Sequence, residues 1–487
     1  MINSYLLPPQ GTEGQTLFSE EVRDFNPVHI DEVAARCSIF GQPILHGIHS
    51  TIRQLDLLIE KGHLEWIAPS TELNIKVDYR QPSYPSDIMR LEINEYEVGK
   101  AKISIWVGDL KIGQIALKRL DKKIEWLDVE AKTNQSFDLS SYDSAIDHSL
   151  DDLKSLDEFC VSSETAGAMR LTKRYQSAAS SFGTQRLFAI GLLSSLVGMV
   201  SPGLYSLFVG FIADLKAEPI AAAKTMDFKC KTTNIHSEFR FVNYIAQSDI
   251  VRASLETVSR PRPEEQPSLK EIIHQIKKNN TDLPNLFGKT ALVIGGSRGV
   301  GSTTVKLLAK AGAQVTFTYT SSSKSAEALV QELSSYNVSA LKEDVLKPRL
   351  ENALKNNIKF DQMYFFATPQ IFVRKTQKYD PKLYMRFINF YIDGFMNVYE
   401  QYTKPTSSIF YPSSIAVESD DLNTLEYRLA KLAGEELCKT LGKETNTQTF
   451  VVKRLPRLAS DQTATIQGGE NADVIEVFSQ ILKQMSA

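Results

Sequence analysis

The sequence predicts an α+β unit followed by an α/β unit built on a doubly wound parallel sheet. In the first half, an apolar helical pattern from about Gly47 to Glu60 precedes four runs in which apolar and polar residues alternate, as in antiparallel strands. In the second half, apolar runs of strand length alternate with helical patterns, which is typical of a parallel sheet with crossover helices. The chain has 487 residues, and domains of about 100–200 residues are usual, so more than one core is expected.

The strand patterns of the first half follow the helix in close succession. They read TELNIKVDYR, DIMRLEINEYEVG, AKISIWVGD and KIGQIALKRL. A long helix wrapped by a curled antiparallel sheet fits this order, because each strand has one apolar face to bury. The segment is predicted to form one domain over residues 1–125.

A fainter copy of this pattern is predicted over residues 126–260. The segment FGQPILHGIHS, residues 40–50, resembles VGMVSPGLYS, residues 197–206, and strand patterns begin again near Phe228. The stretch from Leu187 to Ala213 has no charged side chain and is long enough to cross a hydrocarbon core of about 30 Å. Because a Ser-Pro-Gly break divides it into two runs of core length, we interpret it as the buried helix of the second copy.

A segment rich in proline and charge separates the two halves. It spans residues 261–286 and is interpreted as a linker with one short helix. The strand ALVI, a helix from Ser302 to Lys310, the strand QVTFTYT and a helix from Ser325 to Leu333 follow it. Residues 287–487 are therefore predicted to form the α/β domain.

Composition and charge narrow the partners and the compartment. A net charge of -3 gives no strong attraction to polyanions, so nucleic acid is not expected as a partner. The four cysteines are far apart and lack the spacing of metal ligands, so no metal site and a reduced, cytoplasmic location are expected. The N-terminal residues lack the basic and apolar regions of an export signal, and none is expected.

The segment DFNPVH places an acid and an imidazole five residues apart. Asp24 and His29 flank Pro27, which prevents a continuous helix, so the two side chains can converge in a turn. Seventeen residues after His29, His46 and Gly47 directly precede the apolar helix. The Gly47 amide would lie at a helix N-terminus, where N–H groups lack intrahelical acceptors and the dipole favours anions. The pattern predicts an oxyanion site beside a proton-transfer pair.

These two elements, D-x-N-P-x-H and F-x-x-x-I-x-H-G, resemble the MaoC-like, or (R)-specific enoyl-thioester hydratase, family. The resemblance covers about the first 120 residues and implies a double hot-dog fold. It also implies reversible dehydration of a (3R)-hydroxyacyl thioester carried by coenzyme A or an acyl carrier protein. Asp24 and His29 would share the proton transfers, Asn26 would hold the water, and the Gly47 amide would bind the thioester oxygen.

The second copy lacks these catalytic residue types. Thr184–Phe188 stands where the acid and imidazole are expected, and Pro202-Gly203 stands in place of His46-Gly47. We therefore expect the second copy to shape the acyl pocket without catalysing.

A second set of motifs lies in the α/β half. A glycine pattern from Gly295 to Gly301 follows a strand and opens a helix, as in loops that bind a pyrophosphate. Tyr427 and Lys431 are four residues apart and share a helical face, and Ser414 precedes the tyrosine by thirteen residues. Together these elements resemble the short-chain dehydrogenase/reductase family, with its Rossmann-type sheet, over residues 288–487.

The resemblance implies a role for each motif residue. Tyr427 would protonate a carbonyl oxygen as hydride arrives, Lys431 would lower the tyrosine pKa and hold the nicotinamide ribose, and Ser414 would bind the carbonyl. The cofactor is expected to be NADP(H) rather than NAD(H), because Arg298 can meet a 2′-phosphate and the second strand ends without an acid. The expected cofactor-binding residues are Gly295, Ser297, Arg298, Gly299, Val300, Gly301, Asp344, Val345, Tyr427 and Lys431.

Three positions depart from the family pattern. Ile294 replaces the threonine of the first loop, Phe365 lies in the segment that replaces Asn-Asn-Ala-Gly at the fourth strand, and Tyr391 replaces the asparagine of the proton relay. These departures keep an alternative open, in which the α/β half binds nucleotide without turning over.

The leading hypothesis is a bifunctional enzyme of fatty-acid or polyketide-type metabolism. The reductase would convert a 3-oxoacyl thioester to a 3-hydroxyacyl thioester, which the first domain would dehydrate to a trans-2-enoyl thioester. The alternatives are a dehydratase fused to a nucleotide-binding module, and a non-catalytic acyl-thioester binder. The resemblance also allows a homo-oligomer formed through the reductase domain.

Overall fold

The structure is a computed structural model that describes residues 4–36, 38–126, 135–218, 223–262, 265–347, 359–375, 377–460, 463 and 470–486. It divides into two compact units, Met1–Arg262 and Pro263–Ala487. The segment predicted as a linker thus belongs, apart from its first two residues, to the second unit. Its helix buries Ile272 in the core of that unit.

The first unit is built on one sheet, which has eleven strands in the described residues. Its strands are β1 Ser4–Leu7, β2 Leu73–Tyr79, β3 Met89–Glu97, β4 Lys100–Val107, β5 Leu110–Arg119, β6 Ser136–Asp138, β7 Glu158–Glu164, β8 Ser206–Leu215, β9 Thr225–His236, β10 Phe241–Gln247 and β11 Val251–Ser259. The order across the sheet is β1-β3-β4-β5-β2-β8-β11-β10-β9-β7-β6. The antiparallel strands predicted after the helix at Gly47–Glu60 are confirmed.

The helices of this unit lie between and before these strands. They are α1 Glu13–Val22, α2 Pro27–Ile30, α3 Glu32–Arg36, α4 Gly47–Glu60, α5 Leu150–Ser155, α6 Ala166–Arg174, α7 Gln176–Phe182 and α8 Thr184–Ser195, which continues as a π-helical turn, Leu196–Val200. A short 3-10 turn spans Leu139–Ser141. The predicted helix at Gly47–Glu60 is confirmed with those bounds.

The sheet repeats one pattern on either side of the β2–β8 pair. Reading outward, β2, β5, β4 and β3 form one half, and β8, β11, β10 and β9 form the other. Each half follows a buried helix, α4 or α8. Alternate residues of β2, Leu73, Ile75 and Val77, enter the core, as a strand with one buried face requires.

The helix α8 accounts for the uncharged stretch. Its side chains are buried all round, so it has no polar face, whereas α4 buries one apolar stripe that includes Ile48, Ile52 and Leu55. No single helix in the described part of the chain is both long and apolar enough to span a membrane; Gln176–Phe182 and Thr184–Val200 pass that test only as a pair bent by 111°.

The register predicted inside the second copy is wrong. Thr184–Phe188 is the first turn of α8, so it corresponds to the start of α4 rather than to the loop of Asp24 and His29. Pro202 and Gly203 lie after the π-helical turn, at the opposite end of the helix from the position of His46-Gly47. A short run of small and apolar residues fits either end of a buried helix, which is why the two segments looked equivalent.

The second unit contains the predicted parallel sheet. Its strands are β12 Thr290–Ile294, β13 Gln314–Tyr319, β14 Val338–Lys342, β15 Phe360–Phe365, β16 Thr403–Ser414 and β17 Thr449–Leu455. The order β14-β13-β12-β15-β16-β17 is the 3-2-1-4-5-6 order of doubly wound nucleotide-binding sheets. The described helices are α9 Leu269–Lys278, α10 Gly299–Lys310, α11 Ser323–Glu332, α12 Pro381–Ile388, α13 Gly394–Tyr402, α14 Leu425–Thr445 and α15 Val474–Ser486, with a π-helical turn at Asn389–Asp393.

Two core clusters cover the two faces of this sheet. One includes Val293 and Phe317 with residues of α10 and α15, and the other includes Leu292 and Phe365 with residues of α13 and α14. The carboxyl ends of β12 and β15 open at the point where the strand order reverses. Ligands bind at this point in open α/β sheets.

Candidate active sites

The loop between α1 and α2 holds Asp24 and His29. The helix α1 ends at Val22 because Arg23 takes a left-handed conformation, with φ 63°. The helix α2 begins at Pro27, and the Asn26 side chain caps it by accepting the Val28 N–H. This short helix brings the His29 ring back toward Asp24.

The structure brings together Asp24, His29 and, in addition, His46. One nitrogen of each imidazole and one Asp24 oxygen all lie within 4.8 Å of one another. The rings of His29 and His46 stack with centroids 3.8 Å apart. These three atoms form a donor set that divalent cations also accept, so the cluster is chemically able to hold a metal ion.

His29 has a defined hydrogen-bonding role. Its Nδ1 lies 2.8 Å from the Ile44 carbonyl oxygen, which can only accept, so Nδ1 carries the hydrogen and Nε2 carries the lone pair. Burial, reinforced by the neighbouring His46, lowers the pKa of His29 to about 3. The ring is therefore neutral near pH 7, with a free lone pair at Nε2.

Asp24 is buried, with 1% of its surface exposed. Burial raises the pKa of its carboxyl group, and His29 and the hydrogen bonds from Ser194 and Asn26 oppose that rise. The Ser194 hydroxyl donates to Oδ2 at 2.6 Å, and the Asn26 N–H donates to Oδ1 at 3.2 Å. The His46 Nε2 lies 3.7 Å from Oδ2.

A buried chain of polar groups continues beyond His46. The Gln15 Nε2 donates to the Ile44 carbonyl oxygen at 2.9 Å, which turns its Oε1 toward His46 Nδ1, 3.3 Å away. The same oxygen lies 3.1 Å from Nδ1 of His49, whose Nε2 is 2.5 Å from the Tyr175 hydroxyl. Gln15 thus fixes the orientation of the His46 ring.

Sequence reasoning missed His46 as a functional side chain, because it used the His-Gly pair only for the Gly47 amide. One signal was available. His46 and His49 are three residues apart, so they share a face of α4. Two imidazoles on an otherwise apolar helix face indicate a polar cluster.

The Asn26 side chain makes hydrogen bonds to two parts of the chain. Its Oδ1 caps α2, and its Nδ2 donates to the carbonyl oxygens of Gly198 at 2.9 Å and Gly203 at 3.1 Å. The amide thus attaches the loop of Asp24 and His29 to the turn after α8, and its predicted role in holding water stays a prediction.

The second copy forms one wall of this cluster. A Cβ on Gly198 would lie 2.4 Å from Asp24 Oδ1, so only glycine lets the carboxyl group approach the π-helical turn. Ser194, one helical turn earlier, supplies the hydroxyl that binds the same carboxyl group. The end of α8 and its π-helical turn therefore position Asp24.

Gly47 is the first residue of α4, as predicted. Its N–H belongs to the first turn, where no intrahelical acceptor exists. A Cβ at this position would lie 2.8 Å from the ring of Tyr79. Glycine therefore lets the tyrosine ring pack directly on the helix start.

The glycine loop of the second unit joins β12 to α10. Gly295 has φ +76°, and its N–H donates to the Thr318 hydroxyl at 3.0 Å. A Cβ on Gly301 would lie 2.3 Å from the Gly295 oxygen, so this glycine allows the helix to pack on the loop. Gly299 has φ +58°, but a Cβ there would meet nothing within 4 Å, which leaves space at the helix N-terminus. Arg298 is the N-cap residue of α10.

Ser414 and Tyr427 lie beside each other. Ser414 ends β16, where its hydroxyl accepts the Ala416 N–H at 3.1 Å, and Tyr427 lies in the first turn of α14. Burial raises the pKa of Tyr427, and the nearby Ser414 side chain opposes that rise. The phenol therefore keeps its proton near neutral pH.

Lys431 points into the protein interior. Its Nζ donates to the Pro412 carbonyl oxygen at 2.7 Å and lies 3.9 Å from the ring centroid of Tyr391. Burial lowers the pKa of this ammonium group to about 7. Tyr391 is itself buried in the π-helical turn, with its hydroxyl 2.6 Å from the Thr368 hydroxyl and its ring beside Tyr427.

The remaining predicted residues lie near the carboxyl ends of the strands. The Asp344 carboxylate accepts the Leu346 N–H at 3.0 Å, and the Val345 carbonyl oxygen accepts from the Asn397 amide at 2.9 Å. Ile294 and Phe365 are buried at the ends of paired strands. Ser297 and Val300 lie in the glycine loop and at the start of α10.

The buried position of Lys431 predicts a pH-dependent stability. Its pKa is about 7 in the folded chain and 10.5 as a free side chain, so between these values the unfolded chain binds more protons. The free energy of unfolding should therefore rise with pH above 7, by up to about 1.4 kcal/mol per pH unit. Lys431→Met should remove this increase.

Urea titrations of the full chain between pH 7.0 and 8.5, followed by circular dichroism, would measure it. Lys439→Met is the matched control, because Lys439 is exposed on the same helix and pairs with Glu436. A difference between Lys431→Met and wild type that stays constant with pH would contradict the prediction.

Comparison with known proteins finds one family model that matches part of each unit. A family model described as a MaoC like domain matches residues 17–110, and a model described as short chain dehydrogenase matches residues 289–455. No curated protein matches the chain.

Solved structures match part of the chain. A short-chain dehydrogenase/reductase from Serratia marcescens shares 20% identity over 41% of this chain and 91% of that chain, with a TM-score of 0.38. A blue fluorescent protein from a metagenomic library, in complex with NADPH, shares 23% over 41% and 90%, with a TM-score of 0.36. A Pseudomonas aeruginosa RhlG/NADP active-site complex shares 20% over 41% and 89%, with a TM-score of 0.35.

Proposed function

We propose that this chain, in which a MaoC-like domain precedes a short-chain dehydrogenase domain, is a bifunctional enzyme of acyl-thioester metabolism. The second domain would reduce a 3-oxoacyl thioester, and the first would dehydrate the (3R)-hydroxyacyl product to a trans-2-enoyl thioester. The observation that carries the proposal is the buried cluster of Asp24 and His29 beside the start of α4.

We also infer that the first unit is a double hot-dog fold. The support is the repeated order of four antiparallel strands after each of the buried helices α4 and α8. Residues 1–125 would form the catalytic half, and residues 126–260 the half that positions Asp24.

The hydrogen bond of His29 and the burial of Asp24 support a different role for each member of the pair. In the dehydration direction, the His29 lone pair at Nε2 removes the C2 proton of the substrate. The Asp24 carboxyl group, whose pKa burial raises, gives its proton to the 3-hydroxyl group as the C3–O bond breaks and water leaves. The proton then passes from His29 to Asp24, which restores the starting state.

The start of α4 stabilises the charge that develops on the thioester oxygen. The Gly47 N–H has no intrahelical acceptor, and a donor of this kind is worth about 3–4 kcal/mol of barrier in an oxyanion hole. Hydration of an enoyl thioester would use the same groups in reverse.

The reductase site would bind NADP(H) at the glycine loop, and the bound cofactor would supply the hydride. The free space at Gly299 and the α10 N-terminus fits a pyrophosphate. The Tyr427 phenol would donate its proton to the substrate carbonyl oxygen, which the Ser414 hydroxyl orients. A phenol that keeps its proton suits reduction better than oxidation.

The preference for NADP(H) predicts a measurable effect of Arg298. Wild type should bind NADPH more tightly than NADH, and Arg298→Ala should reduce the difference by about tenfold, because charge-assisted contacts to a 2′-phosphate are lost. Titration by nucleotide fluorescence would measure both affinities. Lys310→Ala, at the other end of α10, is the control and should leave the ratio unchanged. Equal affinities of wild type for NADPH and NADH would refute the assignment of NADP(H) as the preferred cofactor.

One observation favours a second candidate function. Lys431 contacts the Pro412 oxygen and the Tyr391 ring, and these interior contacts compete with a role in holding ribose. In this candidate the first unit is the only catalyst, and the second unit binds nucleotide without turnover.

One incubation distinguishes the two candidates. The full chain is mixed with a short 3-oxoacyl thioester and NADPH, and the products are identified by mass. The bifunctional enzyme should yield both the 3-hydroxyacyl and the enoyl thioester. If NADPH binds but no substrate is consumed, while the chain hydrates a trans-2-enoyl thioester, the second candidate holds.

A further inference from the structure

Arg260 is a buried cation without an acidic partner. It follows β11, and only 7% of its surface is exposed. Its Nε donates to the Ser206 carbonyl oxygen at 3.4 Å, and among the described residues no carboxylate lies within 4.0 Å of its guanidinium group. Arg186, another buried arginine, donates from Nη1 to two carbonyl oxygens at 3.0 and 2.8 Å and lies near the charges of Glu218 and Glu72, although its Nε and Nη2 have no partner among the described residues.

The guanidinium group lies close to the dehydratase cluster. Its central carbon is 5.3 Å from the ring centroid of Phe40 and 5.9 Å from that of Tyr205. Phe40 packs with Val28, which precedes His29 in α2, and with Ile44, whose carbonyl oxygen binds the His29 ring. Burial is the main cause of the low pKa of His29, and the charge of Arg260 adds to it.

A buried guanidinium that carries no counter-charge is costly, since desolvation of an ion is offset only by pairing and hydrogen bonds. Burial lowers the pKa of Arg260 to about 10, so the group remains charged at neutral pH. Two aromatic faces partly compensate, and among the described residues no hydrogen bond engages the terminal N–H groups, whose geometry matches that of an oxyanion.

We propose that Arg260 forms an oxyanion subsite beside the dehydratase site, which binds an anionic group of the thioester substrate. The inference rests on the proposed dehydratase function. A carboxylate on the acyl chain fits this position, because the guanidinium group lies against Phe40, which belongs to an apolar cluster that also contains Ile44. A phosphate of the thiol carrier has the same chemistry and is the other source to be tested.

Binding of unreactive thioesters separates these sources without any turnover. Calorimetry would measure the affinity of the full chain for butyryl-CoA, glutaryl-CoA, butyryl-pantetheine and glutaryl-pantetheine. Arg260→Met should weaken binding of both glutaryl thioesters by about tenfold or more and leave the butyryl thioesters nearly unchanged. If a phosphate is the ligand, the loss should follow coenzyme A and be absent with pantetheine.

Two further variants control the result. Arg260→Lys keeps the charge but not the planar fork, so it should fold like wild type and lose part of the preference. Arg262→Gln removes an exposed arginine that pairs with Asp147 and should change nothing. Equal effects of the Arg260 variants on all four thioesters, or no effect on any, would overturn the subsite. Hydration of crotonyl-CoA by wild type, assayed separately, tests the proposed dehydratase function.

Discussion

Asp24→Asn is expected to slow hydration of a short trans-2-enoyl thioester by about 10²–10⁴-fold, and His29→Ala by a similar factor. Asparagine keeps the size of the side chain and an oxygen that can accept from Ser194, but it cannot transfer a proton. Alanine removes the Nε2 lone pair that Ile44 orients. The rate is read as loss of the absorbance of the conjugated enoyl thioester.

Matched variants of the same unit separate catalysis from folding. Asp143→Asn changes an aspartate whose side chain is 96% exposed, and His236→Ala changes an exposed histidine of β9. Both should hydrate at the wild-type rate, and all four variants should keep the wild-type circular dichroism spectrum. Near wild-type rates for Asp24→Asn and His29→Ala would show that the active site is assigned wrongly.

Removal of divalent cations tests whether Asp24, His29 and His46 act through a bound metal ion. Asp24, His29 and His46 offer three ligand atoms within 4.8 Å of one another. The proposed proton transfers use only side-chain groups, so EDTA should leave the hydration rate unchanged. A loss that zinc or another divalent cation restores would instead indicate metal-assisted hydration.

Local sequence patterns were sufficient for much of the first unit. The α4 bounds follow from an apolar stripe after Gly47, and the strands β2–β5 follow from strict alternation. The convergence of Asp24 and His29 follows from the proline between them. These features depend on residues that are close together in the chain, so a single sequence is enough to predict them.

Contacts between distant residues were not predictable in this way. Ser194 binds Asp24 from 170 positions away, and the amide of Asn26 binds carbonyl oxygens after α8. Nothing in the local pattern marks Ser194 or Gly198, because serine and glycine in a buried helix fit packing equally well. The burial of Arg260 is likewise a property of the folded chain.

In the second unit, too, local features were predictable from the sequence and contacts between distant residues were not. The glycine loop, Ser414, Tyr427 and Lys431 were located from their spacing, and the sheet order follows the strand-helix alternation. The spacing placed Lys431 on the face of Tyr427 but did not predict that its ammonium group contacts the Tyr391 ring and the Pro412 oxygen. That contact depends on the π-helical turn that carries Tyr391.

Tyr391 makes the rate of the reductase the most informative quantity in this unit. Its ring fills the space beside Lys431, and its hydroxyl binds Thr368, so in the proposed reduction the proton that Tyr427 would give up could not be replaced through an asparagine at this position. Burial raises the pKa of Tyr391, and a neutral phenol can donate and accept hydrogen bonds. We therefore expect a functional but slow reductase.

Tyr427→Phe is expected to lower the rate of NADPH-dependent reduction of a 3-oxoacyl thioester by a factor of at least about 10². Phenylalanine keeps the ring that packs on Phe387 and Tyr391 but removes the proton donor, so the fold and the affinity for NADPH should stay close to wild type. Tyr379→Phe removes a phenol that is 42% exposed and serves as the control with unchanged rate. Reduction is followed by NADPH absorbance, and binding by NADPH fluorescence. A Tyr427→Phe variant that reduces the substrate at the wild-type rate would exclude Tyr427 as the acid, whereas wild type that binds NADPH but reduces no 3-oxoacyl thioester on either carrier would establish the nucleotide-binding module.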